Sequence, residues 1–122
     1  MNDDTTLGGY LRVHDRPPAY EGSDGHPYTV SLETEKTGNL RAPWAGYLVF
    51  PRWAQTGVGI VGHVETGDLV QAATAEEAAE ALAALTLHEV QALLEEAIGR
   101  IGHGVDGASG TEVEDRTEVV DG

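Results

Sequence analysis

The sequence contains no cysteine, and this absence excludes several kinds of chemistry. Disulfides, thiol nucleophiles and cysteine-ligated metal sites are all ruled out. The first ten residues, MNDDTTLGGY, lack the apolar segment of a signal peptide. No apolar run approaches the roughly 20 residues that a membrane-spanning helix needs. We therefore expect a cytoplasmic protein that does not bind membranes.

Basic residues are scarce. Seven Lys and Arg stand against 21 Asp and Glu, which gives a formal net charge of −14 at pH 7. Such a surface repels phosphate backbones and anionic lipid, so direct binding of nucleic acid is not expected. The composition resembles that of proteins from a salt-rich cytosol, where screening weakens self-repulsion. A high-GC genome combined with two acidic ends would give the same composition, and both explanations stay open.

Sequence motifs for cofactors and for catalysis are also missing. The chain has no Gly-Lys-Ser/Thr, no Gly-x-Ser-x-Gly and no His-Glu-x-x-His. Gly57, Gly59 and Gly62 have the spacing of a dinucleotide-binding turn, but β-branched residues follow them where a helix is required. We therefore expect no cofactor. We interpret these glycines as strand positions that large aromatic neighbours cover.

The regular structure is expected within residues 28–102. Apolar and polar residues alternate in a way that predicts half-buried strands, and one apolar stretch predicts a central strand. The predicted strands are Tyr28–Glu35, Ala45–Trp53, Val58–Glu65 and Leu69–Ala73. The Thr-Gly-Asp at residues 66–68 is a hairpin-turn signal between the last two.

After residue 73 the hydrophobic period changes from two to about 3.6, which indicates helices. Thr74 with Glu77, and Thr86 with Glu89, have the spacing of capping boxes, so we predict two consecutive short helices. The second carries an apolar stripe of Leu87, Val90, Leu94, Ala97, Ile98 and Ile101. The predicted fold class is α+β: an antiparallel meander of about four strands, then two helices packed on one face.

The two ends differ from this central domain. Residues 1–27 are rich in turn-forming residues, with a short edge strand predicted at residues 10–14. Residues 103–122 are glycine-rich and then acidic, so they bury little apolar surface, and we expect a disordered tail.

Few residues suggest a site. His63 and Glu65 are two apart on a strand and share a face. With His88 they would supply the ligands of some catalytic zinc or iron sites, so a metal-dependent enzyme is one hypothesis. Alternatively, His63 and Glu65 form an ordinary surface pair.

A second candidate site is an interface. Aromatic and arginine side chains dominate binding hot spots, and Trp44, Arg52 and Trp53 lie within ten residues. Alternatively, the aromatic residues of this stretch form the core. The leading hypothesis is a non-enzymatic interaction module that binds a protein partner or associates with itself.

A stretch of the chain resembles a known family. GYLVFP at residues 46–51, TGD at 66–68 and TAEEAAEAL at 74–82 follow one another in the order seen in HicB-like antitoxin domains. The Asp-x-Pro-Gly expected after Phe-Pro is replaced here by RWAQ. The resemblance implies an antitoxin-type module that binds a small basic partner.

Overall fold

A computed structural model of the chain describes residues 5–104, with side chains described up to residue 100. Within that range the protein has a mixed α+β fold, with three helices and one antiparallel sheet, which confirms the predicted class. The helices are α1 Leu7–His14, α2 Ala75–Ala83 and α3 Leu87–Gly104. The strands are β1 Ala19–Glu21, β2 Pro27–Thr29, β3 Ser31–Lys36, β4 Trp44–Trp53, β5 Ile60–Glu65 and β6 Val70–Ala72.

Strand β4 is the centre of the sheet. Along one edge it pairs with β2 and β3 in a single register, with Tyr28 opposite Arg52 and Ser31 opposite Val49. Along the other edge it pairs with β5 and β6. Strand β1 extends the sheet beyond β2. The six strands therefore form four rows: β1, β2 with β3, β4, and β5 with β6. The predicted meander differs, because it gave β5 and β6 separate rows and did not include β1.

The Thr-Gly-Asp segment at residues 66–68 does not form the predicted hairpin turn. Both β5 and β6 pair with β4, so the chain continues in one direction through this segment. Thr66 is buried, and its hydroxyl accepts the backbone N–H of Leu48 at 3.0 Å. The hydroxyl donates to the carbonyl of Gly67 at 2.8 Å. A side chain thus takes over one position of the backbone ladder, and the segment is a bulge within a long strand.

The hydrophobic core lies between the sheet and the helices. Side chains of β4 alternate between two faces, and one face carries Leu48 and Phe50, both fully buried. They pack with Val64 of β5 and with Leu82, Val90, Leu94 and Ala97 of α2 and α3. We call this the inner face of the sheet, and the opposite one the outer face. The predicted stripe of the last helix therefore covers the inner face.

The N-terminal segment contains a helix where the sequence predicts an edge strand. Helix α1 spans the residues of the predicted strand, so that prediction is wrong. The Thr6 hydroxyl caps α1 by accepting the N–H of Gly9 at 3.1 Å. Leu7 is 1% exposed and belongs to the core, with Leu11 packed against it one turn later. The stabilisation gained by burying Leu7 and Leu11 on a capped helix outweighs the preference for a strand that the alternation of Leu11 and Val13 indicates.

Both predicted capping positions start helices. The Thr86 hydroxyl accepts the N–H of Glu89 at 3.0 Å, while the Glu89 carboxylate accepts the N–H of Thr86 at 2.8 Å. The capping box at α3 is therefore complete. At α2 the Thr74 hydroxyl accepts the N–H of Glu77 at 3.1 Å. The tail predicted over residues 103–122 lies outside the described residues, apart from the last two residues of α3.

The three glycines with dinucleotide spacing lie in a hairpin. Gly57 and Gly59 occupy the β4–β5 turn with φ of 82° and 88°, a backbone region that favours glycine. Gly62 lies within β5, and no atom lies within 4 Å of the position that a Cβ would take at any of the three. The interpretation that they make room for aromatic neighbours is therefore wrong. Turn geometry explains Gly57 and Gly59.

Candidate functional site

The described part of the sheet has free edges at β1, β3 and β5, and the edge of β5 differs from the others in its exposed apolar side chains. Among the described residues, β5 pairs only with β4, so its other edge has no neighbouring strand. The strand and its preceding turn expose large apolar side chains: Val58 is 79% exposed, Ile60 58% and Val61 54%. Exposed apolar edges invite pairing with another chain, and proteins usually protect them. This edge is therefore the strongest candidate for a binding surface.

The hydrogen bonds that β4 makes with its neighbouring strand determine which backbone groups remain available on the free edge of β5. Thr66 donates its N–H to the Leu48 carbonyl at 3.0 Å, so its backbone faces β4. Because backbone direction alternates along a strand, Val64 also faces β4, whereas His63 and Glu65 face away. The Glu65 carbonyl accepts from the Arg100 guanidinium at 3.1 Å. Both backbone groups of His63 and the N–H of Glu65 are thus directed toward the open edge.

A groove runs beside this edge, between β5 and α3. One part, of about 160 Å³, is lined by Asp24, Tyr28, Arg52, Gly62, His63, Val64 and Ile98. A second part, of about 250 Å³, is lined by His63, Val64, Glu65, Ala97 and Arg100. The two parts share His63 and Val64, so they adjoin along the strand. We call them together the β5–α3 groove.

Helix α3 crosses the inner face from one edge of the sheet to the other. Near its start, the Leu87 carbonyl accepts the Tyr20 hydroxyl of β1 at 3.1 Å. Near its end, Arg100 binds Glu65 of β5. The helix therefore supplies the far wall of the β5–α3 groove, and its apolar stripe is what places it there.

The outer face of the sheet carries four acidic side chains around Tyr47. Glu33 and Glu35 lie on β3, along one edge of β4, and Glu65 lies on β5, along the other. Asp68 follows β5 in the chain and lies within hydrogen-bonding reach of Glu35. Desolvation, together with the negative charges of these four residues, raises the pKa of Tyr47. A hydrogen bond with Asp68 and its charge raise the pKa of Glu35. We call Glu33, Glu35, Glu65 and Asp68 the acidic face.

The structure brings together two of the three predicted metal ligands. His63 Nε2 and Glu65 Oε2 are 3.4 Å apart, and both side chains are more than half exposed. His88 lies in the first turn of α3, beside β1, about three strand spacings or roughly 14 Å from β5. Within the part of the chain that is described, no group of three such side chains could hold a metal ion. The metal-dependent enzyme stays a prediction without support from geometry.

The predicted interface residues do not share one surface. Trp44 and Trp53 end β4, nine residues or roughly 30 Å apart, and odd spacing puts them on opposite faces. The Lys36 ammonium lies 5.4 Å from the Trp44 ring centre. The Trp53 indole donates to the Thr29 hydroxyl at 3.1 Å. Of the two tryptophans, Trp53 lies at the β5 end, opposite Ile60.

Arg52 belongs to a polar network that the sequence analysis missed. Its Nε lies 3.2 Å from Asp24 Oδ2, which also accepts the Tyr28 hydroxyl at 2.7 Å. Burial and the bond to Asp24 raise the pKa of Tyr28. The sequence indicates a turn around Asp24, but it does not indicate the contact with Arg52, because that contact depends on how the strands are paired. The network fixes one end of the β5–α3 groove.

Tyrosine ionisation is expected to destabilise the fold in alkali. Desolvation by burial, with a smaller contribution from Tyr10, raises the pKa of Tyr20 from 10.0 to about 12. A raised folded-state pKa contributes stability that is complete below pH 10 and lost as pH rises to about 12. We expect the free energy of unfolding to fall in this window, and to fall less steeply in Tyr20→Phe. Denaturant titrations across that pH range measure it, and equal slopes in both proteins would contradict it.

No protein-family model, no curated protein and no solved structure matches this chain. The resemblance to HicB-like antitoxins therefore stays a prediction. No helix among the described residues is long and apolar enough to cross a membrane.

Proposed function

We propose that this protein is a non-enzymatic interaction module that binds an extended segment of a partner at the free edge of β5. The observation that carries the proposal is the set of backbone groups at His63 and Glu65 that face an open edge beside a groove. An extended peptide can complete such an edge through main-chain hydrogen bonds, while neighbouring pockets receive alternate side chains. The β5–α3 groove supplies such pockets.

The surroundings of the edge support a binding role. Val58, Ile60 and Val61 expose apolar surface next to it, and Arg100 donates to one carbonyl of the edge. Contiguous exposed apolar surface on a small protein commonly marks an interaction site. Self-association and binding of a different protein both use such an edge, and the small basic partner of an antitoxin-type module would bind in the same way.

Selection from a random peptide library tests the proposal. We expect wild-type protein to enrich extended, proline-poor peptides that do not bind His63→Pro. Proline removes the N–H that faces the free edge, a position where the β4 ladder does not need it. His63→Val is the matched control, because it removes the imidazole but keeps the backbone donor, and it should bind as wild type does.

Light scattering after size-exclusion chromatography shows whether the edge is used for self-association. A dimer that His63→Pro converts to a monomer would support the proposal with a second copy as partner. A monomer that enriches no peptide, or enriches the same peptides after His63→Pro, would contradict it.

A further inference from the structure

We infer that the segment completing β5 is cationic, with Lys or Arg at alternate positions facing the acidic face and apolar residues between them facing the β5–α3 groove. This inference rests on the proposed function and names the chemistry of the partner. The partner is an extended protein segment, and charge complementarity with the acidic face carries the argument.

The cationic positions of the partner segment follow from the alternation of side chains along a strand. A strand added beside β5 continues the pleat, so every second side chain lies next to His63 and Glu65 on the outer face. Glu65 is itself half exposed, and it belongs to the acidic face with Glu33, Glu35 and Asp68. Cationic side chains at these positions would lie next to Glu65, whereas Glu33 and Glu35 on β3 are about three strand spacings, or roughly 14 Å, away and contribute only to the longer-range negative field.

The groove is lined by both polar and apolar residues, and its charged residues Asp24, Arg52 and Arg100 already have partners within the protein. The intervening side chains of the added strand point to the inner-face side, where Gly62, Val64, Ala97 and Ile98 line the β5–α3 groove. No atom lies within 4 Å of where a Cβ of Gly62 would be, so the groove is open at the middle of the strand. A glycine within a strand often marks close approach of another backbone. Aliphatic side chains of the partner fit this side.

The cations beside the groove are already paired. Arg52 lies 3.2 Å from Asp24. Arg100 lies 3.7 Å from Glu96 and donates to the Glu65 carbonyl. His63 lies 3.4 Å from Glu65. Neither arginine therefore leaves an uncompensated positive charge to repel a basic segment.

Charge also disfavours a second copy as the occupant. Two copies joined through β5 about a twofold axis would extend the sheet with both outer faces on the same side. Their acidic faces would then be neighbours, and each chain carries a formal net charge of −14. Like charges brought together across an interface oppose association. A cationic partner meets no such penalty.

The test compares capped peptides of alternating lysine and valine with peptides of alternating glutamate and valine, by calorimetric titration at low and high salt. We expect saturable binding of the lysine peptide only, weakened by salt. His63→Pro should abolish this binding, whereas His63→Val should keep it. Glu65→Gln should weaken it by up to about fivefold, the worth of one exposed ion pair, and Glu33→Gln, which is farther from the added strand, should weaken it less.

A lysine–valine peptide methylated on alternate backbone nitrogens separates strand addition from loose attraction without altering the protein. Its charge is unchanged, but it lacks the donors of an added strand, and we expect no binding. Equal binding of both lysine peptides would overturn the inference, since charge alone would then explain it. Equal binding of the lysine and glutamate peptides would overturn the cationic partner but leave strand addition standing. A dimer with a blocked edge would overturn it in favour of a second copy.

Discussion

Valine in place of Gly46 is expected to lower the free energy of unfolding by about 3 kcal/mol, the upper end of the usual range for overpacking a core. Gly46 lies on the inner face of β4. A Cβ there would come within 2.8 Å of Val70 and 2.9 Å of Leu82. Leu82 is completely buried, so it has little freedom to move away. The closeness of α2 to the sheet therefore depends on the missing side chain.

Gly62→Val is the matched control for this effect. Gly62 also lies within a strand, but the space around its Cβ position is empty. Valine favours strands, on a scale that spans roughly 1 kcal/mol, so stability should be unchanged or slightly higher. Denaturant unfolding of both variants measures the difference. Equal losses at the two glycines would show that α2 does not pack against Gly46 as described.

Thr66→Val is expected to lower the free energy of unfolding by about 1–3 kcal/mol, the cost of a buried donor left without an acceptor. The Leu48 N–H donates to the Thr66 hydroxyl, and Leu48 is completely buried. Valine has nearly the shape of threonine, so packing is preserved while the acceptor is lost. Water has no access to replace it.

Thr66→Ser provides the control, because serine keeps the hydroxyl and loses only a methyl group. We expect it to be clearly more stable than Thr66→Val. Hydrogen exchange at the Leu48 amide adds a local readout, with faster exchange in the valine variant only. If serine were as destabilising as valine, the methyl group would matter and the hydrogen bond would not.

Local patterns in the sequence were enough to predict the fold class. A continuous apolar stretch placed the central strand at residues 45–53, one residue from β4, and the capping boxes at Thr74 and Thr86 placed the starts of α2 and α3. These signals are local because each depends on neighbours within four residues. The pairing of β6 was not predictable in this way. It is set by the Thr66 hydroxyl and Leu48, which are eighteen residues apart.

The candidate site was harder to predict for the same reason. His63 and Glu65 were selected because two-residue spacing puts them on one face, and the structure places them 3.4 Å apart. Their open backbone edge depends on which strands lie beside β5, which no local pattern encodes. The same holds for Arg52 and Asp24, which meet only because β4 lies beside β2.

The bulge around Thr66 determines which face of the sheet each side chain of β6 points to. Between the pairs Phe50–Val64 and Gly46–Val70, four steps along β4 are matched by six along its neighbour. Because the surplus is even, Val64 and Val70 keep the same phase and both face the helices. A length change of two residues here would leave that phase intact. A change of one residue would reverse the alternation, so that Val70 would point to the outer face instead of toward the helices.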